Sequence, residues 1–307
     1  MKKSCTLLLS LLLFAVAAHS QRNVVLIIAD DLGTDYFGFY EDHQDTVPVP
    51  NIRSLLDGGV RFTNAMSNPI CSSTRASILT GRYSFRTGVG SAVGSGSGTL
   101  NANELTIPLL LEEYEPTIAK ANIGKWHLHL PTPASNLTKP NDFGYDHYAG
   151  LFIGALPDYY NWTKVTNGVS SNVTTYATTE MVNDAIAWTG AQTEPYFLWL
   201  AFNAPHPPYH LPPADLHTYT GLSGTQADIN ANPVPYFKAS LQALDTELGR
   251  LFDSLEAHNQ LDSTDFIFIG DNGNTMQTTQ APNITDHAKG TIYQYGAHVP
   301  MIISGPS

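Results

Sequence analysis

The sequence predicts one α/β domain with a doubly wound, mostly parallel sheet flanked by helices, and three observations support this prediction. Continuous apolar runs occur at Asn23–Ala29, at the start of Tyr196–Tyr209 and at Phe266–Gly270. Such runs are typical of strands buried on both faces of a parallel sheet. Helical patterns alternate with these runs, and polar residues follow each of them directly. Parallel α/β sheets carry their sites at that edge.

The first twenty residues have the pattern of a secretory signal peptide. Lysines follow the initiator, an apolar run extends from Leu7 to Ala18, and small residues precede Gln21. We therefore assign residues 1–20 to the signal peptide and 21–307 to the domain, and we expect export to the periplasm or the medium. The apolar run is too short to cross a bilayer, so no membrane span is predicted.

Cysteine content and charge narrow the function classes. The chain has two cysteines, and signal cleavage removes Cys5, so Cys71 remains alone and no internal disulfide can form. Without Lys2 and Lys3 of the signal peptide, 13 basic and 27 acidic residues remain, a formal charge of −14. This charge argues against binding to nucleic acids or anionic membranes. An anionic substrate would need local cations or a metal.

The first apolar run ends in a pair of carboxylates. Asp30 and Asp31 follow Asn23–Ala29 and precede a turn at Gly33. Adjacent strand residues point to opposite faces, so both carboxylates can reach one ion only where the strand has become a loop. A short helix and a strand, predicted within Val49–Ser67, come next.

The segment CSSTRASILTG, from Cys71 to Gly81, begins a predicted helix. The spacing places Arg75 one turn from Cys71 on the same face, and the helix N-terminus adds partial positive charge beside the sulfur. This arrangement suits a nucleophile that meets an anionic substrate. A buried, inert cysteine at a helix start is the alternative interpretation.

Further polar residues follow later elements. A Gly- and Ser-rich segment at 88–98 predicts a loop, and a helix within 105–130 precedes IGKWHLH, which contains Lys125 and His127. The strand within Tyr196–Tyr209 leads to a proline-rich loop around His206. Apolar spacing predicts a long helix over 237–258. Asp271 and Asn272 follow the strand at 266–270, and a last strand is expected at 299–304.

The strand-end carboxylates and the Asp271–Asn272 pair form an all-oxygen set. Oxygen ligands suit a hard cation such as Ca²⁺ or Mg²⁺, whereas zinc would favour histidine or thiolate. Taken singly, each residue has a structural interpretation: the aspartates as helix caps, Lys125 as a solvated surface lysine. The aromatic residues Tyr159, Tyr160 and Trp162 are typical either of a platform for sugar rings or of core packing, and we leave them out of the site.

Several of these segments together resemble the formylglycine-dependent sulfatases of the alkaline-phosphatase superfamily. The blocks around Lys125, around His206 and from His287 to Pro300 resemble family segments in the family order. The residues of the first segment that match the family signature are Cys71, Arg75, Leu79, Thr80 and Gly81.

The resemblance implies a reaction and a set of roles. In this family the cysteine is oxidised by a formylglycine-generating maturation enzyme, and the hydrated aldehyde attacks sulfur and then expels sulfate by collapsing back to the aldehyde. An unmodified thiol could not perform that second step. The resemblance implies one bound calcium ion, held by Asp30, Asp31, Asp271, Asn272 and the modified Cys71.

The remaining roles also follow from the resemblance. Arg75 and His127 would hold and polarise the hydrate. Lys125, His206 and Lys289 would bind sulfate oxygens, and one of the histidines would protonate the leaving alcohol.

The sequence departs from the family pattern at several positions. Ser73 stands where the family usually has proline, and Gln294, Tyr295 and His298 stand where it usually has Glu, Gly and Arg. Known sulfatases continue into a smaller C-terminal subdomain with an antiparallel sheet. We expect that subdomain to be absent or truncated here.

These features predict an exported sulfatase that acts on sulfate esters, with a sulfated carbohydrate as the expected substrate. Two alternatives stay open. One is a phosphate or phosphonate ester hydrolase of the same superfamily, since the same residue types suit phosphorus. The other is an inactive homologue that binds sulfated glycans without turnover.

Overall fold

The computed structural model describes residues 22–41, 45–94 and 96–306. The predicted signal peptide, residues 1–20, and the predicted cleavage site lie outside these ranges. In the described part of the chain, nine strands form one sheet. The strands are β1 (Asn23–Ala29), β2 (Gly59–Phe62), β3 (Ala119–Gly124), β4 (His147–Gly150), β5 (Trp162–Thr166), β6 (Val169–Val173), β7 (Tyr196–Ala201), β8 (Thr264–Gly270) and β9 (Met301–Ser304).

The strand order is β2-β9-β8-β1-β7-β3-β4-β5-β6, and it confirms the predicted fold class. The five central strands, β8-β1-β7-β3-β4, run parallel. At one edge β9 is antiparallel to β8 and β2 to β9; at the other, β5 and β6 form an antiparallel hairpin beside β4. The hairpin was not predicted, because β6 is largely exposed and its sequence, VSSNV, is mostly polar.

Nine α-helices surround the sheet in the described residues. The helices are α1 (Pro50–Ser54), α2 (Cys71–Thr80), α3 (Ser84–Thr87), α4 (Ile107–Tyr114), α5 (Lys139–Asp142), α6 (Ala177–Gly190), α7 (Gln226–Ala231), α8 (Pro233–Ala257) and α9 (Gln294–Ala297). Short 3₁₀ turns lie at Thr34–Tyr36, Ala134–Thr138, Leu261–Ser263, Met276–Thr278 and Thr285–His287. Among the described helices, none combines the length and the apolar character needed to cross a membrane.

Two hydrophobic cores lie on the two faces of the sheet, which explains the continuous apolar strands. In β1, Val25 and Ile27 belong to one core, and Leu26 and Ile28 belong to the other. Alternate residues of a strand point to opposite faces, so a strand covered on both sides needs apolar residues throughout. The first core is closed mainly by α8 and α6, and the leucine stripe of α8 is buried as its spacing predicted.

Candidate active site

The carboxyl ends of four neighbouring strands, β8, β1, β7 and β3, bring the predicted site residues to one edge of the sheet. Asp271 follows β8, Asp30 follows β1, His206 lies in the loop after β7, and Lys125 follows β3. Helix α2 adds Cys71 at its first residue. Residues far apart in sequence therefore meet here because parallel strands end at a common edge.

The loops after β1 and β8 hold four polar side chains together. Asp31 adopts a left-handed conformation (φ 60°), which lets the chain turn directly after β1. Its backbone N–H donates to Asp271 Oδ1 (3.1 Å), and Asn272 Nδ2 donates to Asp31 Oδ1 (2.7 Å). Asp30, Asp31, Asp271 and Asn272 are all buried. They converge as the sequence predicted.

Arg75 fixes helix α2 to this cluster. The Arg75 guanidinium donates from Nε and one terminal nitrogen to Asp271 Oδ2 (3.1 and 2.8 Å) and from the other terminal nitrogen to the Lys125 carbonyl (3.1 Å). Its nearer terminal nitrogen lies 3.9 Å from Asp30 Oδ2. The fully buried side chain thus orients α2 so that Cys71 faces the cluster. The helix ends at Thr80. The next residue, Gly81, has a φ of 66°, which glycine adopts without strain because it has no Cβ.

His127 contacts Cys71 through a defined nitrogen. Its Nδ1 lies 3.3 Å from Cys71 Sγ, and its Nε2 lies 3.2 Å from the Val93 carbonyl. A carbonyl can only accept, so Nε2 carries the proton and Nδ1 presents a lone pair to residue 71. Burial, followed by the positive charges of Lys125 and Arg75, lowers the pKa of His127 to about 2, so the ring stays neutral at physiological pH.

Two lysines pair with the β1 carboxylates. Lys125 Nζ donates to Asp30 Oδ2, and Lys289 Nζ donates to Asp31 Oδ1. Burial alone would raise the pKa of Asp30, but Lys125 and His206 outweigh it, so the pKa of Asp30 lies below its usual value. The pKa of Asp31 is lowered in the same way, against the effect of burial, by His206 and Lys289. Both carboxylates are therefore ionised.

His206 lies at the mouth of this charged cluster. Its Nε2 is 3.6 Å from Asp31 Oδ2, and its Nδ1 donates to the Pro207 carbonyl (2.5 Å). The hydroxyl of Tyr159 donates to the His206 carbonyl (2.7 Å) and fixes the loop. The side chain of His206 is 14% exposed, which leaves its Nε2 edge accessible from the pocket.

Several oxygens of the cluster lack hydrogen-bond partners among the described residues. Asp30 Oδ1, Asp31 Oδ2 and Asn272 Oδ1 are buried and accept no hydrogen bond there. Asp30, Cys71 and Asp271 place one ligand atom each within 4.8 Å of one another, as do Asp30, Asp31 and His206. Buried acceptors without donors are costly. A hard cation at this position would remove that cost for all three oxygens.

An open pocket of about 640 Å³ leads from the surface to Cys71. Lys289 and His206 form part of its wall, and the Gly- and Ser-rich loop forms another part. Gly154 also lines it, and a Cβ there would lie 2.5 Å from the His127 ring. Only glycine therefore leaves the ring in its present place.

Some contributors to the site were not predicted. Ser72 Oγ donates to the His127 carbonyl (2.8 Å) and accepts from Val93 N–H (3.1 Å), which holds the carbonyl of Val93 near His127 Nε2. Val93 acts through its backbone, so the sequence signal there was only that of a flexible loop. Ser72 lies inside the CSSTRASILTG segment, and its position next to Cys71 was the available signal.

Two of the three aromatic residues that were left out of the predicted site, Tyr159, Tyr160 and Trp162, are packed in the core. Tyr159 and Trp162 are 1% exposed. Tyr160 is 37% exposed, and its hydroxyl donates to the Leu211 carbonyl (2.8 Å). The cluster thus supports the His206 loop rather than offering open ring faces.

The chain is similar to known proteins in sequence and in fold. The family described as Sulfatase matches residues 22–307. The "Uncharacterized sulfatase YdeN" of Escherichia coli K12 is 29% identical over 279 residues, covering 83% of this chain and 48% of that protein. Human arylsulfatase A is 29% identical over 341 residues, covering 97% of this chain and 62% of that protein. The chain thus spans less than two thirds of the length of these relatives.

The fold is also similar to that of a solved structure. The crystal structure of Ps i-CgsB in complex with k-i-k-neocarrahexaose superposes with a TM-score of 0.76 at 26% identity. The superposition covers 94% of this chain and 66% of that chain.

Proposed function

Because the chain belongs to the sulfatase family, we propose that it hydrolyses sulfate esters in the pocket that leads to Cys71. One observation carries the proposal. The start of α2 faces a neutral nitrogen of His127 on one side, and on the other it faces carboxylate and amide oxygens that accept no hydrogen bond from the described residues. A nucleophile at residue 71 would meet a hydrogen-bond acceptor and a cation site at once.

We propose that one calcium ion is held by Asp30, Asp31, Asp271, Asn272 and the modified Cys71. The three unpartnered oxygens fit a hard cation that prefers oxygen ligands. When bound, the ion would neutralise sulfate oxygens and lower the pKa of the hydrate. The lysines pair with the other carboxylate oxygens, Asp30 Oδ2 and Asp31 Oδ1, so Asp30 Oδ1 and Asp31 Oδ2 remain available to the ion.

The proposed nucleophile is formylglycine made from Cys71. One hydroxyl of the hydrated aldehyde would attack sulfur and displace the alcohol. The second hydroxyl would then lose its proton, and its oxygen would become the aldehyde carbonyl as the C–O bond to sulfate breaks and sulfate leaves. Burial raises the pKa of the Cys71 thiol, so the unmodified side chain is a poor thiolate nucleophile. His127 Nδ1 faces residue 71 with its lone pair and would accept a hydrogen bond from the hydrate, which holds and polarises it together with Arg75, while the Val93 carbonyl fixes the required tautomer.

The cations and the second histidine divide the remaining work. Lys125 and Lys289 would bind the sulfate oxygens and stabilise the charge that develops in the transition state. His206 would donate a proton from Nε2 to the leaving alcohol, because its Nδ1–H is held by the Pro207 carbonyl and Nε2 faces the pocket. His127 does not suit the acid role, since its low pKa keeps it neutral.

The proposal extends to the substrate class and to processing. An open pocket with small residues along one wall can admit a sulfated sugar. The complex of Ps i-CgsB with a neocarrahexaose, a structural neighbour at 26% identity, supports a sulfated carbohydrate. We also propose export through residues 1–20 and maturation of Cys71 by a formylglycine-generating enzyme; the intact mass of the exported protein would test for a chain that begins at Gln21.

Initial rates on matched aryl sulfate and aryl phosphate test the reaction. Protein produced together with a formylglycine-generating enzyme should turn over 4-nitrophenyl sulfate faster than 4-nitrophenyl phosphate, and Cys71→Ala should abolish both activities. Faster phosphate turnover would favour the phosphate or phosphonate ester hydrolase. Tight binding of a sulfated glycan without turnover of either ester would favour the inactive glycan-binding homologue.

A further inference from the structure

The segment that carries Lys289 rests on a buried polar cluster outside the Cys71 pocket. We propose that Tyr295, together with Asp35 and Asn274, positions Lys289 against the loop after β1; Tyr295 is then a positioning residue for the hydrolysis. This inference rests on the proposed function, because it gives the reason for fixing Lys289. Tyr295 is not among the described residues that line the Cys71 pocket.

Asn274 connects three parts of this region. Its Oδ1 accepts from the Gly33 N–H (2.9 Å), and its Nδ2 donates to Asp35 Oδ1 (2.5 Å). Its backbone carbonyl accepts from the Lys289 N–H (2.9 Å). The loop that presents Asp31 and the backbone of Lys289 are therefore held by one residue. A shift of Asn274 would move both partners of the Lys289–Asp31 pair.

Tyr295 completes the hydrogen bonding of Asn274 and Asp35. Its hydroxyl donates to Asp35 Oδ2 (3.1 Å) and accepts from Asn274 Nδ2 (3.2 Å). Tyr295 is 7% exposed, and Asp35 and Asn274 are fully buried. Buried networks of this kind are rigid only when every member keeps its partner. Removing one hydroxyl should therefore loosen Asn274 and, through its carbonyl, Lys289.

The other end of α9 is tied to the same loop. His298 Nε2 donates to the Thr63 carbonyl (2.9 Å), which leaves Nδ1 to accept from Thr34 Oγ1 (3.2 Å). Tyr295 and His298 are two positions at which the sequence departs from the family pattern. Both residues contact residues 34–35, just after the β1 carboxylates, so the Lys289 segment and this loop are joined at two places.

A double-mutant cycle tests the inference. Tyr295→Phe should lower kcat/KM for 4-nitrophenyl sulfate about tenfold, the size expected for the loss of one buried hydrogen bond. In a Lys289→Met background, the same substitution should change the rate less than about twofold, because a residue that acts only through Lys289 has nothing left to position. Thr34→Val is a second variant, because it removes the hydroxyl that contacts His298 just after α9. It should also lower kcat/KM in the wild-type background and change it much less in the Lys289→Met background.

Tyr196→Phe is the matched control, since Tyr196 is 1% exposed and its hydroxyl donates to Gln260 Oε1 (3.2 Å) at the opposite end of β7. It should leave kcat/KM unchanged. Equal losses from Tyr295→Phe in the wild-type and Lys289→Met backgrounds would show a general structural role and overturn the inference. An unchanged rate in Tyr295→Phe would also overturn it.

Amide hydrogen exchange separates this inference from the proposed function. Tyr295→Phe, and not Tyr196→Phe, should speed exchange in residues 288–291 at least about tenfold, because the Lys289 N–H bonds to Asn274. Unchanged exchange there would contradict the positioning role whatever the enzyme does. If Tyr295→Phe speeds exchange as expected but the wild-type protein does not turn over sulfate esters, only the proposed function is contradicted.

Discussion

Buried carboxylates occur at the sheet edge and also on α8. The carboxylates in these two places differ in how many of their oxygens accept hydrogen bonds. Asp245 of α8 is 1% exposed, and its Oδ1 accepts from the Ile52 N–H (2.7 Å). Its Oδ2 accepts from the backbone and side-chain nitrogens of Asn51 (3.2 and 3.0 Å). At the site, Asp30 and Asp31 pair with lysines, yet each has one oxygen that accepts no hydrogen bond from the described residues.

The difference separates a structural carboxylate from the proposed ion site. Asp245 joins α8 to the start of α1 through neutral donors, and burial raises its pKa to about 6. The cations around Asp30 and Asp31 lower their pKa values despite burial. Buried polar atoms are normally satisfied, so incomplete bonding beside an open pocket indicates groups arranged for a ligand.

The largest predicted effect compares two substitutions of aspartate by asparagine, one at the site and one on α8. Asp31→Asn should lower kcat/KM for an aryl sulfate about a thousandfold, because it removes a charged ligand from the site. Asp245→Asn should instead lower the free energy of unfolding by about 1–3 kcal/mol, since in either orientation the new amide nitrogen faces at least one donor that the carboxylate now accepts from. Enzyme kinetics and denaturant unfolding on both variants measure the contrast.

The comparison would fail if Asp245→Asn reduced kcat in the folded protein as much as Asp31→Asn does. It would also fail if Asp31→Asn kept the wild-type rate.

The next effect concerns two lysines that each pair with an aspartate, Lys289 at the site and Lys238 elsewhere. Lys289→Met should lower kcat/KM about a hundredfold, because Lys289 would stabilise charge on the sulfate. Lys238→Met is the matched control: Lys238 pairs with Asp45 away from the pocket. That variant should keep the wild-type kcat. Similar losses in both variants would show that the effect reflects any broken ion pair and not sulfate binding.

Removal of calcium should change the free energy of unfolding differently in variants of the site and of Asp245. With free calcium at a hundred times its Kd, the ion should add about 2.7 kcal/mol to the free energy of unfolding. Chelation should remove this stabilisation from the wild type and from Asp245→Asn, and Asp31→Asn should respond much less. Thermal unfolding with and without the ion checks this. An equal response in Asp31→Asn would place the ion elsewhere.

The last effect is the pH dependence of the contribution that Asp245 makes to stability. Its pKa is about 6 in the folded protein and 3.8 in the reference state, so between these values the folded protein binds the proton more tightly. Its contribution to the free energy of unfolding should therefore fall as the pH rises from about 4 to 6, by up to about 1.4 kcal/mol per pH unit. Above pH 6 the contribution should stay constant.

Denaturant unfolding of the wild type and Asp245→Asn at pH 4.5 and 6.5 measures this contribution as a difference between the two proteins. A difference that does not change with pH would contradict the buried, raised-pKa carboxylate.

The parts of the fold that were predictable share strong apolar patterns. The buried strands β1, β7 and β8 and helix α8 were predicted because both faces of the strands, or one stripe of the helix, are apolar. The hairpin β5–β6 was missed because its outer strand is exposed and polar. Helix α6 was missed as well; threonines, among them Thr178 and Thr189, stand at buried positions in it.

The site divides along a similar line. Side chains that follow strand ends could be predicted, because a parallel sheet brings those ends together. Backbone and packing contributions could not, since a carbonyl such as that of Val93 has no side-chain signature. Gly154 and Tyr295 matter through what they contact in the folded chain, and neither contact is visible in the sequence.

The account depends most on the chemical state of residue 71. Mass spectrometry of the tryptic peptide Phe62–Arg75, from protein purified in active form from its own host, measures that state directly. The account predicts an aldehyde in place of the CH₂SH group of Cys71, in a fraction that rises with specific activity. An intact thiol in protein that turns over aryl sulfate at full rate would contradict the proposed mechanism.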